Sequence, residues 1–571
     1  MAFQISPGVN VSERDLTTIV PSVATTAAGM AGIFEWGPVN QPVLISSVQE
    51  LGALYGMPSD GNYRWWFTAY NYLGYGSNLK VVRHVDPTVA RNATVGGLSG
   101  AVGLQNIEVI QAKFPSATTG VIVGRYPGAL GNSLRVELCG GFTGSGTGKF
   151  ADWEYNTIFG SVPTSSDYGF RSGESTVDAF HLVVVDAGGL FSGATGTILE
   201  RYEGVSLLNG AVNADGSSLY YKSKINNESR YIACIGVTGA DHLSQSMTSV
   251  NGGQFSGTSN TGWGVMKGQL SGGTGEFSGE TSILGTTGSG YEMFKDADHI
   301  DVALLLGGPL GLTSSKLLCD LAKSRKDCVA FVSAAVSDST VSSSTKIDAC
   351  KALRDAVGNN NYAFVDSGYK FMYDAFNDVN RWVPLNGDIA GLCARTDATN
   401  DPWWSPAGFN RGQVRGTIKV AFNPNKDERD EIYGYGINPV VTFSGEGTIL
   451  FGDKTAQTRP SSFDRINVRR LFIVLEKAIA KAAKYSLFEF NDAFTRSQFK
   501  GLIEPFLRDV QGRRGIVDFK VVCDEKNNTP QVIDSNNFVA DIYIKPNRSI
   551  NFIQLNFVAT KTGVSFEEVG A

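Results

Sequence analysis

Residues 87–289 break this sequence in two. They are rich in glycine, serine and threonine, and thirteen of the fifty residues at 241–290 are glycine. Long helices cannot form at that density, because every glycine in a helix surrenders backbone freedom without packing anything in return. Short alternating runs survive, such as Val121-Ile122-Val123 and His181-Leu182-Val183-Val184-Val185. The stretch therefore reads as one or two β-rich domains with mobile loops. On both sides of it the pattern is different. Residues 47–55 and 65–73 have helical periods and 79–85 is strand-like. Beyond the break, 299–306, 328–334 and 362–366 read as buried strands, with helices at 314–323 and 344–357 between them. Helices alternating with apolar strands imply a parallel or mixed sheet covered by helices. The flanks 23–86 and 290–450 are thus read as one α/β layer. Residues 87–289 are an insertion at one of its surface loops, a position that leaves the parent fold intact.

A separate module follows at 451–547. Ile466, Leu471, Leu475, Ile479 and Ala482 recur at helical spacing, with Ser462 as the expected N-cap, leaving Arg469, Arg470, Lys477 and Lys481 on other faces. Phe499, Leu502, Ile503, Phe506, Leu507 and Val510 form a second stripe, stopped by Gly512 and Gly515. Residues 516–523 and 538–544 are strand-like, and Ile553, Leu555 and Phe557 alternate with Gln554 and Asn556. At the other end, Pro7-Gly8 is a turn pair and Val9 and Val11 alternate with polar residues. Both ends, 1–22 and 548–571, are extended and β-prone. Such ends either complete their own domain's sheet or are donated to a neighbour's sheet, and for a chain considered alone the first is commoner.

With 571 residues the chain is too long for a single core. The net charge of −6 is unevenly placed: from Phe451 onward there are 18 basic and 14 acidic residues, so +4, which leaves −10 for the rest. A basic module on an acidic body is suited to an acidic partner, and reads equally as a solvated mixed-charge surface. Seven cysteines without a CxxC pair read as buried free thiols in a reducing compartment. No signal peptide or membrane span is expected, and the protein is expected to be made and kept in a cytoplasm.

Chemistry is sparse. His84, His181, His242 and His299 are scattered, so neither a metal site nor a cofactor is expected. Residues 144–150 imitate a phosphate loop, but Thr143 replaces the first glycine and Phe150 stands where a hydroxyl must reach magnesium. Leu306-Gly307-Gly308-Pro309 opens like a nucleotide-binding turn, and Pro309 interrupts it. Asp374, Asp378 and Asp388 read as solvated or ion-paired rather than catalytic. The basic stretch is accompanied by Asp464, Glu476 and Glu489, which favours a protein interface over nucleic acid. The chain is read as not an enzyme.

Several long strings carry a resemblance. They are Phe34-Glu35-Trp36-Gly37-Pro38, Tyr55-Gly56-Met57-Pro58, Asn377-Asp378-Val379-Asn380-Arg381-Trp382, Ser405-Pro406-Ala407-Gly408-Phe409-Asn410-Arg411-Gly412, Asn491-Asp492-Ala493-Phe494-Thr495-Arg496-Ser497 and Leu555-Asn556-Phe557-Val558-Ala559-Thr560. Through them the chain resembles the tail sheath proteins of contractile-tailed phages of the T-even myovirus type, most clearly over 1–86 and 360–571. The resemblance implies a multidomain α/β plus β fold. An inner α+β C-terminal domain (451–547) would carry N- and C-terminal arms (1–22 and 548–571), with an α/β middle layer and a β-rich protruding insertion. It implies a structural subunit that polymerises as a helical sleeve around a tail tube and contracts to drive the tube through a host envelope. The alternative is a sheath of a phage-derived injection system of bacteriocin or secretion type. Implied partners are other copies, the tube protein, and baseplate and tail terminator proteins, with no direct nucleic acid and no membrane insertion. The implied location is the virion tail, after assembly in the host cytoplasm. The resemblance also reverses the reading of the ends. Pro7, Gly8, Val9, Val11, Ile553, Leu555 and Phe557 become strand-exchange arms, and Arg469, Arg470, Lys477 and Lys481 become candidates to face the tube. The region 87–120 is short beside the larger sheaths of this type, so an outermost domain is expected to be reduced or missing.

Overall fold

Five parallel strands organise the larger part of the protein: β1 (Ala28–Gly32), β3 (Leu79–Arg83), β12 (Leu304–Leu306), β13 (Val329–Ser333) and β14 (Ala363–Asp366). An antiparallel edge strand, β2 (Val43–Ile45), completes the order β14-β13-β12-β1-β3-β2. The structure, a computed structural model, describes residues 24–95, 121–140, 150–164, 166, 178–235, 248–249, 265–275, 282–285, 289–336, 342–552 and 554. Pro7, Gly8, Val9, Val11, Ile553, Leu555, Phe557 and His242 lie outside the described residues. The described residues fall into two compact units, 24–400 with 406–464, and 401–405 with 465 onward.

Strands β1, β12, β13 and β14 are buried at every residue, as expected of a sheet covered on both faces. Two helix pairs cover it. Helix α2 (Tyr63–Leu73) packs with α6 (Asn386–Thr399), and α4 (Leu312–Arg325) packs with α5 (Ser343–Val357). Helix α1 (Val48–Tyr55) begins where Ser47 accepts from the Glu50 amide, a cap that satisfies one of the free N–H groups of a first turn. The buried strand expected at 299–306 is shorter, reaching only Leu304–Leu306. Asp296 accepts from the Asp298 amide and bonds His299 Nδ1 at 2.6 Å, and this local turn outcompetes an extended chain. His299 is therefore exposed, whereas His84 and His181 are buried.

The crossover from β3 to β12 carries an antiparallel sheet. Its strands are β4 (Thr94–Val95), β5 (Val121–Gly124), β6 (Leu134–Gly140), β7 (Ala179–Asp186), β8 (Thr197–Ser206), β9 (Ile232–Ile235), β10 (Thr248–Ser249) and β11 (Val265–Ser271). The period of two sorts its side chains. Leu134, Val136, Leu138, Leu182 and Val184 enter one core with α3 (Tyr221–Glu228), while Cys139, Val183 and Val185 meet Trp153 and Phe159 on the opposite face. There His181 stacks on Phe159 with ring centroids 4.4 Å apart, held between the Ser161 carbonyl and the Gly204 amide.

This sheet is welded to the α/β layer rather than hung from a loop. Arg83, at the end of β3, is completely buried. Its Nε donates to the Phe34 carbonyl (2.8 Å) and its Nη1 to that of Gly37 (2.9 Å). Its Nη2 donates to the carbonyls of Glu35 (3.2 Å) and Pro127 (2.6 Å), the last belonging to the inserted segment. Burial lowers the pKa of this guanidinium to about 10, which leaves it charged at neutral pH. Beside it, Trp36 enters the inserted sheet's core and meets Tyr126 and Phe191 edge-on. Gly128 has φ +146°, and a Cβ there would sit 2.4 Å from the Glu35 carbonyl oxygen.

The larger unit ends in a three-stranded sheet, β16 (Val379–Pro384), β15 (Tyr369–Asp374) and β17 (Lys419–Val420), then α7 (Lys426–Gly434) and the hairpin β18 (Val440–Phe443) and β19 (Gly447–Leu450). The smaller unit holds α8 (Ile466–Ala483), α9 (Ala493–Gly512), β20 (Ile516–Val522), the short α10 (Pro530–Asp534) and β21 (Asp541–Pro546). Ser462 does not cap α8. It starts a separate 3₁₀ turn, and Arg465 occupies the cap position. None of the seven cysteines is in a disulfide and all are buried, and burial pushes the thiols of Cys139, Cys234 and Cys350 up to about 12.

Replacing Arg83 by methionine strips the donor from four buried carbonyls and is expected to cost about 3 kcal/mol or more. The urea midpoint of the full chain should fall accordingly. A shift no larger than that of exposed Arg64→Met would mean that Arg83 does not hold the joint.

Candidate assembly surface

In an open parallel sheet, ligands bind beyond the carboxyl ends of the strands where the strand order reverses. Here that point lies between β1 and β12, and the chain itself fills it. Gly308, just after β12, has φ +64°, and a Cβ there would stand 2.8 Å from the Trp65 ring. Asn386, the first residue of α6, accepts from the Gly308 amide (2.9 Å) and donates to the Gly308 carbonyl (2.9 Å). Its own amide and side chain both donate to Ser333 Oγ at the end of β13, and Ser333 donates to Asp366 at the end of β14. The ends of three strands are thereby tied to the start of one helix. The turn at Gly307-Gly308-Pro309 is thus bonded by a side chain of the protein itself.

The other carboxylates are also committed. Asp388 and Lys370 form a buried pair at 2.9 Å, and Lys370 Nζ further donates to Asn71 Oδ1 and the Arg415 carbonyl. Asp374 is buried against Arg381, while Asp378 accepts from the Tyr373 hydroxyl at the surface. Among the described residues, no three His, Cys, Asp or Glu side chains are grouped to hold a metal ion, and no helix is long and apolar enough to cross a membrane. The Gly144–Lys149 part of the phosphate-loop imitation lies outside the described residues.

The surfaces that remain are sticky rather than reactive. In the smaller unit, β20 and β21 form an antiparallel pair whose inner face, Phe519, Val521, Ile542 and Ile544, lies on the core made by Leu471, Leu475, Phe499, Ile503 and Leu507. Among the described residues each strand pairs only with the other, so neither outer edge carries a further strand, although Gln511 Nε2 donates to the Val517 carbonyl. Asn547 closes the hairpin by bonding the carbonyls of Gly515 and Arg514.

The basic residues expected on one face of α8 divide. Arg469 and Arg470 are buried, with Arg469 paired to Glu476 at 3.2 Å. Every residue from Ile466 to Leu471 is buried, so the helix begins enclosed and an amphipathic stripe does not describe its first turns. Those two arginines are not a surface for a partner. Lys481 is exposed and Lys477 half-buried.

Two apolar patches were not singled out in the sequence. The connector between α8 and α9, with the first turn of α9, exposes Tyr485, Leu487, Phe488, Phe490 and Phe494, with Leu487 at 61 % the least exposed and Phe488 fully so. Isolated apolar side chains at a surface are ordinary; five within ten residues make a patch, each forgoing about 1.5–3 kcal/mol of burial. The connector is also held in place. Phe488 adopts φ +70°, Asn491 Nδ2 donates to Asn528 Oδ1 and the Asn537 carbonyl, and Asp492 caps α9 through the Thr495 amide. In the larger unit, Phe409, Phe443 and Phe451 form a triad with ring centroids 5.3–6.2 Å apart, and Arg429 lies over two of the rings. Phe409 and Phe451 are about half exposed. The signal for the connector was present in Leu487-Phe488-Glu489-Phe490, an apolar run with no helical or strand period.

Burial pushes the pKa of Asp366 up to about 8. An unfolded aspartate releases its proton near pH 4, so folding takes up a proton between those values. This carboxyl's contribution is then complete below about pH 4 and is lost as pH rises towards 8. Asp366→Asn should remove that slope, so the variant gains on the wild type between pH 5 and pH 8 in thermal unfolding. Parallel curves for the two proteins would count against a protonated Asp366.

Comparison with known proteins gives a consistent answer. The model of the phage tail sheath protein central domain matches residues 316–456, and that of the phage tail sheath C-terminal domain matches 458–560. The tail sheath protein of Vibrio phage KVP40 is 33 % identical over 671 aligned positions covering 99 % of both chains. That of Enterobacteria phage T4 is 32 % identical, again with 99 % of each covered. With 671 positions for a chain of 571, the KVP40 protein carries at least 100 residues that have no counterpart here. The crystal structure of a sheath tail protein from Listeria innocua is 11 % identical and superposes with a TM-score of 0.52, covering 91 % of this chain and 94 % of that one.

Proposed function

From the premise that the chain belongs to the phage tail sheath family, we propose that it polymerises as a helical sleeve around a tail tube and contracts to drive the tube through a host envelope. Its fold is mixed α/β with several sheets, and it is a component of a virion tail. The open edges of β20 and β21 carry the assembly reading. A two-stranded sheet is marginal by itself, and adding a strand at each edge satisfies its free backbone groups. We assign those strands to the ends of other copies, residues 1–22 with Pro7, Gly8, Val9 and Val11, and residues 548–571 with Ile553, Leu555 and Phe557. Chains linked in this way stay connected while the rest of each subunit moves.

The remaining arrangement follows from that assignment. The C-terminal domain (451–547) lies innermost, the α/β layer (23–86 and 290–450) surrounds it, and the insertion (87–289) protrudes. Lys477 and Lys481 stay as the residues proposed to face the tube. The shortfall against the KVP40 protein is assigned to an outermost domain. Baseplate and terminator proteins meet the two ends of the sleeve, and assembly takes place in the host cytoplasm. Contraction releases energy stored in the extended lattice by moving subunits into one that buries more surface, and many modest interfaces repeated along a sleeve sum to large work. No nucleotide is needed, and the relatives it matches are tail sheath proteins, which supports the reading of the subunit as not an enzyme. Full-length similarity to phage sheaths favours a phage tail over a bacteriocin or secretion machine.

Electron microscopy of the purified chain should show rings or tubes. Deleting residues 1–20, or 548–571 beyond the closing bonds of Asn547, should leave a folded soluble protein that does not polymerise. Normal tubes from either truncation would rule out strand exchange by the ends.

A further inference from the structure

Lys370 on β15, Asn71 on α2 and Asp388 on α6 meet in the interior of the larger unit, each at most 5 % exposed. Lys370 Nζ stands 2.9 Å from Asp388 Oδ1 and 3.2 Å from Asn71 Oδ1, and it also donates to the Arg415 carbonyl at 2.9 Å. The Tyr75 hydroxyl donates to the same Asp388 oxygen at 3.1 Å and accepts from the Arg415 amide at 2.7 Å, which orients the carboxyl. Those contacts alone would serve a buried ion pair. Two atoms are left over. Asn71 Nδ2 and Asp388 Oδ2 are buried and have no hydrogen-bond partner among the described residues. Buried amides and carboxyls are normally bonded at both ends, so an asparagine that offers only its oxygen to a lysine is unusual. Its carbonyl lies beside a nucleophile, its nitrogen is unrestrained as a leaving group, and a carboxyl is in reach to move protons. Burial raises the pKa of Asp388, although Lys370 pulls it the other way. Moving a proton from the ammonium to the carboxylate replaces two buried charges by two neutral groups, which such a site favours.

We propose that Lys370 and Asn71 join in an intramolecular isopeptide bond, with Asp388 carrying the protons. Lys370 Nζ first gives a proton to Asp388, leaving an amine and a carboxylic acid. The amine's lone pair forms a bond to Asn71 Cγ while the acid protonates Oδ1. Asp388 then relays a proton from Nζ to Nδ2, the Cγ–Nδ2 bond breaks with its electron pair, and ammonia leaves. Oδ1 returns its proton to Asp388 as the carbonyl re-forms. Nothing is oxidised or reduced, and no co-reactant enters. Fixed proximity in a dry site supplies what an amine and an amide lack in water. The joined residues are 299 apart in sequence, and the loop they close contains β3, the inserted sheet, β12, β13 and β14. A pull across that loop is then borne by a covalent bond, whatever the chain assembles into.

Intact-mass measurement of the purified full chain should give a value one ammonia below that of the sequence, once any loss of Met1 is allowed for. A digest should yield a branched peptide that joins the segment holding Asn71 to the segment holding Lys370. Lys370→Arg keeps the charge but cannot attack, because a guanidinium does not give up its proton. Asp388→Asn keeps the shape but cannot take the proton. Both variants should return the full mass and two separate peptides. A folded wild-type chain of full mass, or an ammonia loss mapped to a cyclised asparagine with no branch, would overturn the bond. A branch that persists in Asp388→Asn would overturn the role given to Asp388. The wild-type map decides even where a variant fails to fold, and either result leaves the sheath reading standing.

Discussion

Much of the larger unit depends on one buried guanidinium. Arg83 sits where β3 ends and the insertion begins, and it supplies four carbonyl groups that would otherwise be buried without a donor. Three of these shape the turn at 34–37, and the fourth belongs to Pro127 in the inserted sheet. The same turn sends Trp36 into that sheet's core. A guanidinium with four of its five N–H groups bonded is less costly to bury than one left largely unpaired. The inserted sheet is thus continuous in packing with the α/β layer.

A second constraint is the closure of the strand ends. The parallel order β3-β1-β12-β13-β14 would provide a ligand crevice in many doubly wound proteins. Here Asn386, Ser333 and Asp366 spend their hydrogen-bonding capacity on one another, and Trp65 packs onto Gly308. The fold is recognisably of a ligand-binding kind, and its use is mechanical. This illustrates why function has to be argued from the site and not from the layer order.

Much of the secondary structure was legible because periodicity reports burial directly. The helices α2, α4 and α5 and the strands of the central sheet all show it. Failures came where a side chain's partner is distant or its own turn competes. Asp296 turned an expected strand at His299 into a turn. Arg469 and Arg470 look solvent-facing by spacing, yet the first turns of α8 are enclosed on every side. The Lys370–Asp388 pair also draws on Asn71, hundreds of residues away, and the aromatic triad is built from three segments. No local pattern announces such groupings. The family strings did show the overall kinship, because they extend over much of the chain.

The burial of all seven thiols has a consequence for particle lifetime. A tail that leaves its host enters oxygenated surroundings in which neighbouring surface thiols on packed copies would form disulfides. A handful of such covalent staples would jam a sleeve whose purpose is to slide. With every thiol buried, and three pushed up to about 12 so that little thiolate exists at neutral pH, oxidation finds nothing to couple.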